Sequence, residues 1–418
     1  MQGAQTERQR RDDMNKGNTG FWSAGHRPTL FAAFLYFDLA FMVWVILGPL
    51  APDIAEDLGL NAAEKGLMVA VPTLAGAVLR LVNGLLVDRI GPKLTGAIGQ
   101  LIVIAGLLVA WGLGVNSFGG ILAVGVVLGF AGASFAVALP LASRWYPPEH
   151  QGTALGIAGM GNSGTVFAAL FAPGLAALFG WNAVLGLAVI PLAVTFVIYM
   201  ALAKDAPDAP APKPISAYLE PLRNRDAWWF MLFYGVTFGG FVGLSASLGI
   251  YFTDQYGLTP VIAGYCTAAC VFAGSLVRPI GGALADRIGG TRTLSVVYAV
   301  AAAALAAIST GPATVGLALG LFVIAMLALG AGNGAVFQLV PQRFRAEMGV
   351  MTGLVGFAGG VGGFYLASSL GIAKQLTGSP QLGFLIFAAL ALVALGGLTT
   401  VKTRWRSTWG ASLQGARI

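Results

Sequence analysis

The chain has 418 residues and is 57% hydrophobic but only 10% charged. Soluble domains carry about 25% charged residues, so this composition excludes an ordinary soluble protein and indicates an integral membrane protein. A membrane β-barrel is excluded as well, because the required alternation of polar and apolar residues is missing. The net charge of +7 does not indicate nucleic-acid binding, since the basic residues are scattered over many short loops.

Twelve apolar runs, each about 18 to 28 residues long, are long enough to span a bilayer as helices with some tilt. They follow a polar N-terminal tail, 1–27, that lacks the pattern of a cleaved signal peptide. We predict transmembrane helices at 28–50, 63–87, 93–114, 117–143, 152–178, 181–203, 226–252, 260–285, 292–310, 312–340, 349–372 and 380–401.

A polar linker, 204–225, divides these runs into six and six. Its prolines prevent helical hydrogen bonding and its charges exclude it from lipid. We therefore predict an all-α polytopic membrane protein with twelve transmembrane helices in two pseudo-symmetric six-helix bundles. The bundles comprise 28–203 and 226–402, and a C-terminal tail, 403–418, follows them.

Basic residues are unevenly distributed between the two sides of the predicted membrane. Of the 24 Lys and Arg, Arg80 and Arg278 fall inside predicted helices, Lys65 and Lys374 on one side, and the other 20 on the opposite side. The positive-inside rule assigns the richer side to the cytoplasm, so both termini are expected there. We expect a multi-pass protein of a bacterial cytoplasmic membrane.

The two intramembrane arginines occupy equivalent positions in the two halves. Arg80 lies eight residues before the pair Asp88-Arg89, and Arg278 lies eight residues before Asp286-Arg287. At about 1.5 Å per helical residue each arginine begins about 12 Å inside the membrane, near the middle of a hydrocarbon layer about 30 Å thick. Each half of the chain thus carries one buried cation.

An arginine at that depth costs between about 2.5 and 17 kcal/mol, so it needs a partner. An anion held between two planar, forked guanidinium groups provides one. The structural alternative is that each arginine pairs with a fixed carboxylate or with helix carbonyls. Asp38 is the one acidic residue predicted at that depth, and it can serve as a counter-ion or as a proton carrier.

Two glycine-rich segments recur at nearly the same offset in the fifth and eleventh predicted helices. The first spans 156–164 and carries Asn162, and the second spans 353–363. Such glycines permit close helix packing, and sliding of the bundles is the role we expect for them. The glycines concerned are Gly159, Gly161, Gly164, Gly356, Gly359, Gly360 and Gly363. A weaker repeat pairs 134–140 with 336–341.

Six plus six helices with internal repeats describe a transporter whose substrate binds between its halves. The segments 84–93 and 282–292 resemble the loop signatures of the major facilitator superfamily, through Gly84, Asp88, Arg89, Gly282, Asp286 and Arg287. Those charged pairs are either gating contacts at the cytoplasmic ends or solvated caps. The glycine-rich segments together with Arg80 and Arg278 resemble the nitrate/nitrite porter family, and the resemblance covers 28–402.

This resemblance implies that Arg80 and Arg278 bind the anion. It also implies that Asn162 and the aromatic residues Tyr234, Phe238 and Phe135 line the site. Tyr234 and Phe238 are four residues apart and therefore share a helix face. From the residues alone, core packing for the aromatic side chains and a helix-to-helix hydrogen bond for Asn162 remain open alternatives.

We therefore expect secondary transport of nitrate, and of nitrite, with protons as a co-substrate through Asp38. Nitrate/nitrite antiport, or exchange of an organophosphate or carboxylate, are the alternatives. We expect no enzyme activity, cofactor or metal, because a phosphate-binding loop and a nucleophile–base pair are missing. Cys266 and Cys270 are interpreted as packing residues. We expect the protein to be a monomer that contacts membrane lipid and does not bind nucleic acid.

Overall fold

The computed structural model describes residues 20–207, 216, 219–344 and 348–409. Twelve helices in it are long and apolar enough to cross a membrane. The predicted all-α fold with twelve transmembrane helices is confirmed. The helices are α1 Arg27–Leu58, α2 Ala62–Ile90, α3 Pro92–Leu113, α4 Phe118–Ser143, α5 Thr153–Phe179, α6 Trp181–Leu202, α7 Arg225–Tyr256, α8 Pro260–Ile288, α9 Gly290–Ser309, α10 Val315–Arg343, α11 Gly349–Thr377 and α12 Gln381–Ser407.

Parts of the predicted tails and linker lie outside the described residues, namely 1–19, 208–215, 217, 218 and 410–418. The division of the chain at the linker therefore stays a prediction. We call the side where α1 begins and α12 ends the termini side, and the opposite side the far side.

Several helices continue beyond their predicted ends. α1 and α7 run on to Gly59 and Gly257, whose left-handed φ angles of 63° and 64° stop the helix. Charged residues in these last turns, such as Glu56 and Asp254, do not interrupt helical hydrogen bonding. The apolar run thus marks where a helix leaves lipid, whereas the glycine marks where it ends.

The end of α12 is tied to the start of α7. Asp226 accepts hydrogen bonds from Arg343 Nε at 2.8 Å, from Trp405 Nε1 at 2.8 Å and from Arg404. α12 runs to Ser407, so residues 403–407 at the start of the predicted tail are helical.

Breaks in the helices expose backbone carbonyls near the middle of the protein. α4 is interrupted after Gly132, where the N–H of Ala136 turns to Ala133 O at 3.1 Å, an i→i−3 bond. The Gly132 carbonyl is thereby available to a side chain from another helix. α5 is interrupted by one 3₁₀ turn, Met160–Ser163, which carries Asn162.

The two halves pack closely in the far-side half of the molecule. A Cβ atom at Gly66 of α2 would lie 2.8 Å from Gly371 Cα of α11, and one at Gly264 of α8 would lie 2.5 Å from Ala169 O of α5. Toward the termini side, glycines of the same helices have open space. No described atom lies within 4 Å of a Cβ built at Gly84, Gly156 or Gly353.

Candidate functional site

Arg80 and Arg278 both lie close to one aromatic ring. The Cζ atoms of Arg80 and Arg278 are 5.5 and 6.0 Å from the ring centre of Phe135. Arg80 is only 1% exposed, and Arg278 is partly buried. The broken helix α4 thus places Phe135 within about 6 Å of one cation of the first bundle and one cation of the second.

Arg80 binds helix carbonyls of both halves. Its Nε donates to Gly132 O of α4 at 3.1 Å, and its Nη1 donates to Gly356 O of α11 at 2.7 Å. Nη2 is buried and has no hydrogen-bond partner among the described residues. Helix carbonyls therefore satisfy part of the hydrogen-bonding capacity of Arg80, as the structural alternative predicted, while one N–H donor group remains available.

Arg278 reaches in the opposite direction, from the second bundle to the first. Its Nη1 donates to Oδ1 of Asn162 at 3.0 Å, and its Nη2 lies 3.5 Å from the hydroxyl oxygen of Tyr234. Asn162 is 1% exposed and sits on the 3₁₀ turn of α5. Each arginine therefore contacts the glycine-rich segment of the opposite half.

The aromatic residues expected at the site surround these guanidinium groups. The rings of Tyr234 and Phe238 are stacked, with centres 5.0 Å apart and planes 6° apart. Phe238 lies 5.1 Å from Arg80 Cζ. Cation–π contact stabilises a guanidinium without using its N–H donors, so those donors stay available to an anion.

Two further aromatic residues at the site were missed by sequence reasoning. Trp44 lies 5.2 Å from Arg80 Cζ, and its Nε1 donates to Pro72 O at 2.7 Å. Phe337 lies 5.9 Å from Arg278 Cζ and 5.0 Å from the ring of Tyr234. Phe337 occupies the position of Phe135 in the weaker repeat, which was a usable signal, whereas nothing in the sequence singled out Trp44.

Asp38 is buried beside the glycine-rich segment of α5 and is 4% exposed. Its Oδ1 lies 2.7 Å from Ser163 Oγ. Among the described residues it forms no ion pair with Arg80 or Arg278, and no carboxylate lies within 4.0 Å of either arginine. Asp38 is therefore connected to Arg278 only indirectly, through the neighbouring residues Ser163 and Asn162.

The signature glycines have different surroundings. Gly161 and Gly164 pack against the backbone of Asp38, where a Cβ at Gly164 would lie 1.7 Å from the carbonyl oxygen. These contacts stay within the first bundle. In α11, Gly359 and Gly363 pack on α7, Gly360 packs on Thr73 O and Ala77 of α2, and Gly356 packs on Arg80. A Cβ at Gly159 of α5 would meet no described atom within 4 Å.

The loop signatures lie at the termini-side ends of their helices, away from the arginines. Asp88 of α2 accepts a hydrogen bond from Arg144 Nη2 at 2.9 Å, which joins α2 to the end of α4 within one bundle. Gly84 has open space around it, and a Cβ at Gly282 would lie 3.8 Å from Gly334 O. The three remaining charged residues of the signatures, Arg89, Asp286 and Arg287, are exposed.

The site combines two cations with few other polar groups. Water exclusion strengthens the interaction of a bound anion with both guanidinium groups, because the local dielectric constant is low. No group of three potential metal-ligating side chains occurs in the described part of the chain, and Cys266 and Cys270 are free thiols. The arrangement is suited to reversible binding of a small anion.

Comparison with known proteins identifies the family. Residues 32–367 match the Major Facilitator Superfamily. The chain is 36% identical to the "Probable nitrate/nitrite transporter NarK2" of Mycobacterium tuberculosis, over 85% of this chain and 91% of that protein. It is 33% identical to the "Nitrite extrusion protein" of Bacillus subtilis, over 85% and 89%.

A solved structure shows the same fold at low sequence identity. It is a bacterial homologue of the human lysosomal transporter Spinster, with a TM-score of 0.70 and 18% identity over 90% of this chain and 96% of that one. The chain belongs to the major facilitator superfamily and, within it, to the nitrate/nitrite porter family.

Proposed function

We propose that this protein transports nitrate, and nitrite, across the cytoplasmic membrane by alternating access, with the anion held between Arg80 and Arg278. The observation that carries the proposal is the buried Nη2 of Arg80, which has neither a hydrogen-bond partner nor a nearby carboxylate among the described residues. A buried cationic donor without a partner is unfavourable, and an anion removes that cost. The names of the related proteins supply the choice of nitrate and nitrite.

The surroundings of the arginines favour a small planar anion over an organophosphate. Among the described residues, Asn162 and Tyr234 are the side chains that hydrogen-bond to Arg278, and the ring faces of Trp44, Phe238 and Phe337 lie near the two guanidinium groups. Nitrate needs only forked N–H donors in its plane and tolerates ring faces above and below. A larger polar substrate would leave buried hydroxyl or carboxylate groups unsatisfied.

The packing of the halves supports a state that is closed on the far side. Glycine contacts such as Gly66 with Gly371 join the bundles there, while Gly84 and Gly353 of the same helices have open space toward the termini side. We assign the termini side to the cytoplasm by the positive-inside rule. In this assignment the described conformation faces inward, and transport requires the far-side contacts to separate.

For coupling, we propose that Asp38 carries a proton together with nitrate. Ser163 Oγ lies 2.7 Å from Asp38 Oδ1 and 2.9 Å from Met160 O. A hydroxyl has one hydrogen, so it satisfies only one of these acceptors fully. If Asp38 is protonated, it donates to Ser163, which then donates to Met160 O, and both contacts are satisfied.

Ionisation of Asp38 would reverse this arrangement. The Ser163 hydrogen would turn to the carboxylate and give up its contact with Met160 O, two residues before Asn162. Protonation at Asp38 is thereby linked to the position of the amide that holds Arg278. Nitrate/nitrite antiport is the alternative, in which Asp38 only holds the 3₁₀ turn in place.

The transport proposal is tested with the purified protein in liposomes. We expect saturable nitrate uptake that is lost when either arginine is replaced. Absence of uptake, or uptake that is unchanged when both arginines are replaced, would overturn the proposal. Coupling is tested separately with an imposed inward proton gradient. Asp38→Asn should lose gradient-driven accumulation and retain exchange, whereas Glu56→Gln, on the exposed end of the same helix, should behave like the parent protein. Accumulation by Asp38→Asn would favour antiport or another coupling residue.

A further inference from the structure

A three-residue ion cluster joins the two bundles on the far side. Lys65 Nζ of α2 lies 3.0 Å from Oδ2 and 3.2 Å from Oδ1 of Asp254 on α7. Lys374 Nζ of α11 lies 2.5 Å from the same Oδ2. Lys65 belongs to the first bundle, whereas Asp254 and Lys374 both belong to the second. Within this cluster, Lys65 with Asp254 is the pair that crosses the interface.

We propose that Lys65 and Asp254 form an ionic latch that holds the far-side entrance closed and must open before the carrier can face outward. This inference rests on the alternating-access part of the proposed function. It assigns a conformational role to residues far from the anion site, and it does not depend on which anion is carried.

The burial of the cluster distinguishes it from an ordinary surface ion pair. The side chains of Lys65, Asp254 and Lys374 are 17%, 18% and 30% exposed. Exposed pairs contribute little because water and salt screen them, but screening weakens when both partners are largely covered. The same carboxylate also accepts from two ammonium groups, which fixes its position.

The latch lies at a close crossing of the two halves. Gly66, next to Lys65, packs on Gly371 of α11, and a Cβ at Gly371 would lie 2.6 Å from Ala62 O. Two glycines allow close backbone contact, yet they supply no interlocking side chains that resist separation. The ion pair therefore provides a specific attraction at a crossing that is otherwise smooth.

A small cavity lies beneath the cluster and marks the path that the latch closes. Its volume is about 40 Å³, and it is lined by side chains from both halves, including Lys65, Ser247 and Lys374. Ser247 is 6% exposed, and its hydroxyl has no partner among the described residues. Separation of α2 from α7 and α11 would open this cavity to the far side.

Lys374 makes the two sides of the latch unequal. When the bundles separate, Asp254 keeps Lys374 as its partner because both are in the second bundle, so no carboxylate is left unpaired. Lys65 alone loses its partner and becomes a free ammonium group at the entrance. Loss of Lys65 and loss of Lys374 should therefore have different effects, although both remove one positive charge from the same cluster.

The test measures opening directly, without nitrate. In a background with Cys266→Ala and Cys270→Ala, Ser247→Cys places a thiol in the cavity, and its rate of maleimide labelling is followed in detergent. Lys65→Met and Asp254→Asn should raise the rate about tenfold, equivalent to about 1.4 kcal/mol in the opening equilibrium. Lys65→Arg and Lys374→Met, which both retain an interface pair, should stay within about twofold of the parent.

Equal rates for Lys65→Met and Lys374→Met, or no increase for Lys65→Met, would overturn the latch. If Ser247→Cys does not yield monodisperse protein, spin labels at Glu56→Cys and Gln255→Cys report the same opening as a longer distance between α1 and α7. Because neither readout involves transport, failure of the latch is distinguishable from failure of the proposed nitrate site.

Discussion

Arg278 donates from Nη1 to Oδ1 of Asn162 at 3.0 Å, and through this bond an arginine of the second bundle reaches the first. Arg80 makes the reciprocal contact, from the first bundle to Gly356 O of the second at 2.7 Å. Neither bundle therefore builds the proposed anion site alone. A rotation of one bundle against the other must change both contacts together, which links the site to alternating access.

Replacement of either arginine by lysine should abolish transport without unfolding the protein. Lysine keeps the charge but loses the planar fork that suits a flat oxyanion. We expect Arg80→Lys and Arg278→Lys each to lower kcat/KM for nitrate by at least about 100-fold, or about 2.7 kcal/mol. Arg292→Lys, at an exposed position, is the matched control. Near-normal saturable uptake by either site variant would contradict the two-arginine model.

An acidic residue at position 162 should impair nitrate binding more than truncation of the Asn162 side chain to alanine. Asn162→Asp places a carboxylate 3.0 Å from Arg278 Nη1, where it competes with the substrate as a permanent anion. Asn162→Ala only removes a hydrogen-bond acceptor, so we expect about a tenfold rise in KM. Asn116→Asp, in an exposed loop, controls for added charge. The affinity for nitrate, measured by calorimetry, should decrease from the parent protein to Asn162→Ala and further to Asn162→Asp.

The fold could be predicted from the sequence, and the two arginines could be singled out there, because both leave a strong local signal. Twelve apolar runs are visible without tertiary information, and a charge such as Arg80 inside one of them has few structural explanations. Aromatic residues carry no such signal in a chain rich in apolar side chains. Trp44 is therefore found only through its contact with Arg80.

The hydrogen bonds of the site could not be predicted for a different reason. Arg80 binds Gly132 O because α4 is broken there, and Asn162 faces Arg278 because α5 contains a 3₁₀ turn. Both interruptions depend on packing between helices. The hydrogen-bond partner of Asp38 could not be predicted either. The sequence places Asp38 at the depth of the arginines, but its side chain contacts Ser163.

Competition experiments should separate a nitrate site from one for a larger anion. Around the guanidinium groups, Trp44, Phe135, Phe238 and Phe337 present ring faces instead of hydrogen-bonding groups. Nitrite and other small planar anions should therefore inhibit nitrate uptake, whereas glycerol phosphate and dicarboxylates should not at about 100-fold excess. Strong inhibition by an organophosphate would favour exchange of that class of substrate.

The glycine-rich segment of α5 offers a comparison between two glycines only five residues apart. A Cβ at Gly164 would lie 1.7 Å from the carbonyl oxygen of Asp38, so Gly164→Ala must push α5 away from α1. Overpacking of this kind typically costs about 1 to 3 kcal/mol. Gly159 has right-handed helical angles, and no described atom lies within 4 Å of a Cβ added there. Gly159→Ala should therefore be neutral or stabilise the protein by up to about 1 kcal/mol.

The same pair also tests whether the contact at Asp38 matters for transport. Displacement of α5 by Gly164→Ala would lengthen the 2.7 Å contact between Ser163 and Asp38 and shift the neighbouring Asn162 away from Arg278. We expect Gly164→Ala to show both a lower melting temperature in detergent and a loss of nitrate binding, and Gly159→Ala to show neither. If Gly159→Ala is the more damaging of the two, the glycines serve a motion that opens toward the termini side, and close packing on α1 is not their main role.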